Sequence, residues 1–292
     1  MNDTAIYDVE LTITIGGEST FLKRKAILEL KDCGNPIAST QGNWYFGSGG
    51  GLQFRENGVI PDKKAFNPNL INSNEGCITQ SDSNGNLLFF GGGNLGGGPV
   101  KIYDKNYQQL KEFPNNSFKS LEGNGTTTQG LLRFPVPGDS TKYYIFSNSS
   151  SESKQKLYYN VFDLALGTAG QFSKDSTDIA IKTPSALSAY TTDVHLGVEE
   201  QLCASPKCNG EDYWLFTKLY EPINGFHQVL VFSVTSSGIK YHSRKSIAYQ
   251  DYSGRFGTIK LSPDGGFLSV GKSILKFDKS TGILSDYLKI TS

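Results

Sequence analysis

A chain of 292 residues with 28 basic and 28 acidic side chains has no net field to draw it toward nucleic acid or anionic lipid. Charged residues make up only 19% of it, while 33 glycines, 15 tyrosines and 18 phenylalanines suit aromatic strands joined by tight turns better than helices. No stretch approaches the roughly 18 apolar residues of a membrane span, and Met1-Asn2-Asp3-Thr4 carries neither the basic nor the apolar region of a secretory signal.

Residues 7–15 alternate strictly, with Tyr7, Val9, Leu11, Ile13 and Ile15 in one row and Asp8, Glu10, Thr12 and Thr14 in the other, which predicts a half-buried strand. Gly16-Gly17-Glu18-Ser19 predicts a turn, and Thr20 to Leu30 a returning strand. A two-stranded hairpin is marginal in water, so this one needs more sheet to lie on. Gly34, Pro36 and neighbouring Ser, Thr and Gln mark 33–42 as a linker. Trp44-Tyr45-Phe46 then stands alone, without a turn partner, and is expected to pair with the segment from Ile274 to Leu284 and complete a last blade.

From there a phrase recurs four times: a polar turn, an aromatic strand, then a second strand. It is carried by Leu87 to Phe90 with Val100 to Asp104, and by Tyr143 to Phe146 with Leu157 to Asp163. It returns as Tyr213 to Phe216 with Val229 to Phe232, and as Phe267 to Val270 with Ile274 to Asp278. Repeated strand-turn-strand units predict a β-propeller-like array of antiparallel blades, because one unit cannot bury its apolar face alone. The phrases lie further apart than the roughly 40–45 residues of a blade, which implies large loops or unmarked strands between them. Asn84-Gly85, Asn209-Gly210 and Asp264-Gly265 predict type I′ hairpin turns. The unbroken apolar runs predict strands covered on both faces. Asp104, Asp163 and Asp278, at strand exits, are expected to accept backbone N–H bonds in the following turn rather than to hold calcium, since no Asp-x-Asp-x-Asp loop occurs.

Tests for catalysis come out negative. The glycine runs at 47–51 and 91–98 are followed by no helical periodicity and no Gly-Lys-Ser/Thr, so they suit blade connections or close backbone approach, not a phosphate loop. No nucleophile elbow occurs. His195, His227 and His242 are expected at the surface, and the adjacent Glu199 and Glu200 neither support nor exclude a carboxylate pair. No catalytic residue, metal or cofactor is therefore expected. Cys203 and Cys208 flank a short loop and could close a disulfide in an oxidising compartment or remain two thiols. Aromatic residues in predicted loops, Tyr190, Tyr220, Phe226, Tyr249 and Tyr252, are the candidates for stacking on a ligand such as a glycan.

Two resemblances add to this. Tyr7-x-Val9-x-Leu11-x-Ile13-x-Ile15-Gly16-Gly17 resembles the closing hairpin of a PKD-type immunoglobulin-like domain. Asn43-Trp44-Tyr45-Phe46-Gly47, Gly51-Leu52-x-Phe54, Asn74-Glu75-Gly76-Cys77 and Asp82-x-Asn84-Gly85-Asn86-Leu87-Leu88-Phe89 resemble large surface proteins of Bacteroidetes associated with gliding motility or type IX secretion. Further matches in order are Pro135-x-Pro137-Gly138, Asp212-Tyr213-Trp214-Leu215 and Leu261-Ser262-Pro263-Asp264-Gly265. The chain departs from that pattern in its Cys203–Cys208 loop and its glycine-rich 91–98 run. The resemblance implies a partial Ig-like domain over 1–32, a linker over 33–42 and a propeller-like domain over 43–292. It also implies neighbouring Ig-like domains in a longer polypeptide and an extracellular or cell-surface location, with the secretion signal outside this chain. The function expected is non-enzymatic adhesion, or binding of a glycan or protein, with no nucleic acid and no membrane span. One alternative is a structural component of a phage or contractile injection particle. Another is a propeller-type enzyme acting on polysaccharides.

Overall fold

A computed structural model describes residues 5–15, 18–28, 42–54, 62–65, 70–73, 75–94, 98–148, 156–187, 197–221, 226–248 and 257–289. The protein is all-β. Strands β1 (Ala5–Ile15) and β2 (Glu18–Leu28) form an antiparallel hairpin whose register sets Asp8 opposite Lys25 and Glu10 opposite Lys23.

Among the described residues five further sheets follow in chain order, antiparallel but for one pairing in the third. The first contains β3 (Asn43–Phe46), β4 (Gly50–Gln53) and β5 (Asp62–Ala65). The second contains β6 (Cys77–Ser81), β7 (Leu87–Asn94) and β8 (Gly98–Asp104). The chain next makes β9 (Lys111–Phe113) and β10 (Ser117–Phe118), then returns to the second sheet's edge as β11 (Ser120–Leu121). The third sheet is built on β12 (Leu131–Val136), β13 (Asp139–Asn148) and β14 (Leu157–Asp163), widened by β15 (Gln171–Ser173), β16 (Ile179–Ala180) and the borrowed β9 and β10. There β15 pairs with β9 in parallel, so the second and third sheets exchange an edge. The fourth is β17 (Leu202–Pro206), β18 (Tyr213–Glu221), β19 (Phe226–Thr235) and β20 (Gly238–Ala248). The fifth is β21 (Ile259–Leu261), β22 (Phe267–Val270), β23 (Ser273–Asp278) and β24 (Ile283–Lys289).

Successive sheets pack face to face through four apolar seams. Tyr45, Ile71, Phe90 and Tyr103 join the first to the second. Phe89 and Ile102 meet Tyr143, Ile145 and Phe162 in the next. Tyr144 and Phe146 meet Leu215 and Phe232 in the third, while Trp214, Phe216 and Val231 meet Leu268, Leu275 and Phe277 in the fourth. The unbroken apolar runs follow from this: Phe89 and Phe90, or Tyr143 to Phe146, send alternate side chains into two different seams. The leading strands β3, β6, β12, β17 and β21 are neighbours in that order.

Two expectations need correction. Trp44-Tyr45-Phe46 pairs with β4 beside it, not with 274–284, because Gly47 (φ +60°) and Gly49 (φ +79°) turn the chain straight back. The three hairpin dipeptides are not type I′ turns. At each, only the glycine has positive φ, and its N–H closes a turn onto Asp82, Lys207 or Ser262, leaving Gly85, Gly210 or Gly265 in the left-handed position that follows a type I turn. The glycine run is a close approach: a β-carbon on Gly93 would fall 2.1 Å from the Cα of Gly125. The exit aspartates behave as expected. Asp104 Oδ1 accepts from the N–H groups of Asn106 and Gln108, Asp163 Oδ1 from that of Ala165 and Asp278 Oδ1 from that of Ser280.

Candidate functional site

Two clusters of chemistry-bearing side chains stand out, and they differ in access. The first lies where β17 begins, at the seam between the third and fourth sheets. Glu199 Oε2 is 2.6 Å from Lys218 Nζ and 3.2 Å from His227 Nδ1, and the side chains of all three are at most 3% exposed. The backbone fixes them: Glu199 N–H donates to Lys218 O at 2.7 Å, and Asn148 Nδ2 donates to Glu199 O. Burial pulls Lys218 down to about 8, against the opposing pull of the Glu199 carboxylate. Glu200 turns the other way, its Oε2 accepting from Thr128 N–H and Oγ1 at 3.0 and 2.9 Å. His227, expected at the surface, is therefore a core residue on β19. Nearby, Gln129 spans from the start of β12 to Ile259 of β21, donating to its carbonyl at 3.2 Å and accepting its N–H at 2.8 Å.

The second cluster is open. On β3, Asn43 and Tyr45 face the second sheet: Asn43 Nδ2 donates to Ser81 Oγ at 3.0 Å, and Tyr45 stacks on Phe90 at 4.7 Å. The strand's alternation turns Trp44 and Phe46 the opposite way, 48% and 43% exposed. Trp44 is steadied by Phe54, their ring centroids 5.0 Å apart. Tyr45 N–H donates to Thr79 Oγ1 at 2.9 Å, tying β3 to β6. From β12, Arg133 Nε and Nη2 both donate to Thr79 O, at 2.9 and 2.7 Å. Three leading strands thus converge on Thr79, and between them runs a groove of about 330 Å³ lined by Trp44, Phe46, Cys77, Leu132 and Arg133 among others.

Arg133 is the unusual member. Burial lowers its pKa from the usual value, and the groups that oppose this are the phenols of Tyr143 and Tyr213, not a carboxylate. Among the described residues no Asp or Glu pairs with it. The Cys77 thiol is pushed up by burial. A groove with an exposed indole, a second exposed ring and an uncompensated cation can hold a ligand with a flat apolar face and polar groups.

Tyr220 and Phe226 are strand residues where β18 meets β19, not loop residues, because the hairpin pairing runs on to Glu221 opposite Phe226. Tyr190, Tyr249, Tyr252 and His195 lie outside the described residues. His242 is exposed on β20, its Nε2 2.7 Å from Thr281 O. Cys203 and Cys208 are not bonded to each other in this structure. Cys203 is held in β17 opposite Phe216, whereas Cys208 is exposed in the turn beyond it. The one sequence signal for the groove is an arginine inside the apolar run Leu131-Leu132-Arg133-Phe134.

Compared with known protein families and with curated proteins, the chain matches no family model and no curated protein. No helix among the described residues is long and apolar enough to cross a membrane.

Proposed function

We propose that this chain is a non-enzymatic binding module, a five-bladed propeller-like array that takes a saccharide in the groove beside Trp44. The groove itself carries the reading: an exposed indole braced by Phe54 at the meeting point of three leading strands. Sugar rings stack on such indoles through their C–H faces, and the polar rim supplies hydrogen bonds. The five sheets packed in chain order, with leading strands side by side, support the propeller-like description. So does Gln129, which reaches from the third sheet past the fourth to the fifth. The trio of Glu199, Lys218 and His227 is sealed in a seam, which favours a packing role over catalysis. The resemblance to Bacteroidetes surface proteins favours display outside the cell, beside Ig-like domains to which the β1–β2 hairpin would belong.

The test is binding of a saccharide panel by calorimetry to the wild-type chain and to Trp44→Ala. Binding that falls about tenfold or more in the variant, with unchanged thermal stability, supports the module. Hydrolysis or lyase activity on the same panel would favour the enzymatic alternative.

A second reading, a subunit of a phage or injection particle, draws on the outer face of the fifth sheet, where Phe267, Ile283 and Leu288 are 47%, 45% and 68% exposed. Sedimentation of the full chain separates the two: a stable oligomer dispersed by Leu288→Lys would favour the particle.

A further inference from the structure

We infer that the groove selects a saccharide bearing a carboxylate, with the outer edge of the Arg133 guanidinium as the fork that receives it. This rests on the saccharide reading and adds the ligand's charge class to it.

The argument is geometric. A guanidinium offers two edges for paired hydrogen bonds: one made by Nε and Nη2, the other by Nη1 and the second N–H of Nη2. Arg133 spends the first edge on a single acceptor, the carbonyl of Thr79, with both bonds under 3 Å. That anchorage fixes the plane of the guanidinium and leaves the second edge with no described partner. Its spacing matches the two oxygens of a carboxylate.

Charge points the same way. A cation drawn out of bulk water is costly unless it is compensated, and among the described residues Arg133 donates to a carbonyl and pairs with no carboxylate. Because Arg133 lines the groove that holds Trp44 and Phe46, an anion bound there would be stacked and neutralised at one site. A sugar acid supplies both features in one ring: a C–H face for the indole and a carboxylate for the fork. A neutral sugar would leave the fork empty, and a small inorganic anion would leave the rings uncovered.

The probes are galacturonate and glucuronate oligosaccharides, their methyl esters and the corresponding neutral oligosaccharides, titrated into the full chain at fixed ionic strength of about 0.15 M, where long-range charge effects are screened. The acid should bind about 10- to 100-fold more tightly than its ester, as a charge-assisted bidentate contact implies. Arg133→Gln should erase that preference while keeping the weaker affinity for the ester. Arg133→Lys, which keeps the charge and loses the fork, should restore only part of it. If acid and ester bind the wild-type chain equally, charge selection is wrong while the saccharide site stands. If no oligosaccharide of the set binds, both readings fall. If Arg133→Gln folds and still prefers the acid, the fork lies elsewhere. The comparison of acid with ester on the wild-type chain decides the matter even if the variant does not fold.

Discussion

Gly282 lies against the indole of Trp214 so closely that a β-carbon there would fall 2.4 Å from Cη2 of the ring. The same glycine has φ +74°, a left-handed backbone that side chains disfavour. Around this contact Trp214 Nε1 donates to Lys279 O at 2.8 Å, and Ser243 Oγ donates to Gly282 O at 3.0 Å. The turn between β23 and β24 is thereby fastened to the fourth sheet. Gly282→Ala should cost about 1–2 kcal/mol for the backbone and about 1–3 kcal/mol more for the clash. Gly210 is the internal control, since it has φ +75° and no atom lies within 4 Å of where a β-carbon would stand. Gly210→Ala should therefore show the backbone cost alone. Urea unfolding of the two variants measures the difference, and equal losses would mean the Trp214 contact gives way freely.

That contact also shows which parts of the fold the sequence announces. The middle strands of the second, third and fourth sheets are legible because each must bury both faces, and this forces runs such as Tyr143 to Phe146 that no exposed strand would carry. Strands of two or three residues, such as β10, β11 and β16, are too short for any period to register. The parallel pairing of β9 with β15 joins residues about sixty positions apart and leaves no local mark. The turns fall where the dipeptides place them but are of another type, because an Asn-Gly pair fits both a type I′ turn and the end of a type I turn. The open groove depends on three strands meeting at Thr79, so Arg133 can be noticed in sequence but not assigned a neighbour. The burial of His227 is hidden for the same reason: only the paired register of β18 and β19 brings it near Lys218 and Glu199.

The buried trio makes a prediction about pH. Lys218 sheds its proton near pH 8 in the folded protein and at its ordinary value of 10.5 when unfolded. Between those values the unfolded chain holds a proton that the folded one has lost, so stability rises with pH, by about 1–3 kcal/mol from this group. Burial raises the phenols of Tyr103, Tyr143, Tyr144 and Tyr213. Above about pH 10 the unfolded tyrosines ionise first, and stability falls. Denaturant unfolding from pH 7 to 11 should thus pass through a maximum. Lys218→Met should remove the rising limb and keep the falling one.

At neutral pH the costly change at this pair is the other one: Glu199→Gln leaves the Lys218 cation buried without its carboxylate. It should cost about 3–5 kcal/mol, as breaking one side of a buried pair does. The double variant Glu199→Gln with Lys218→Met should recover part of that loss, because no buried charge is then stranded. A double variant no more stable than Glu199→Gln alone would show that lost packing, not the desolvation of the lysine cation, sets the cost.

Thiol chemistry separates the two cysteines that sequence spacing suggests as a pair. Cys208 is exposed, whereas Cys203 packs on the fourth seam and burial raises its pKa. Thiolate is the reacting form, so at pH 7.5 a maleimide should modify Cys208 within minutes and reach Cys203 only after denaturation. A bridge between them would require Cys203 to leave its place opposite Phe216 on β17, with loss of strand pairing next to the sealed trio. The melting temperature should therefore be the same with and without reductant. Peptide mapping that found neither cysteine labelled in the native, unreduced protein, and both labelled after reduction, would establish the bridge instead and place β17 in a different register.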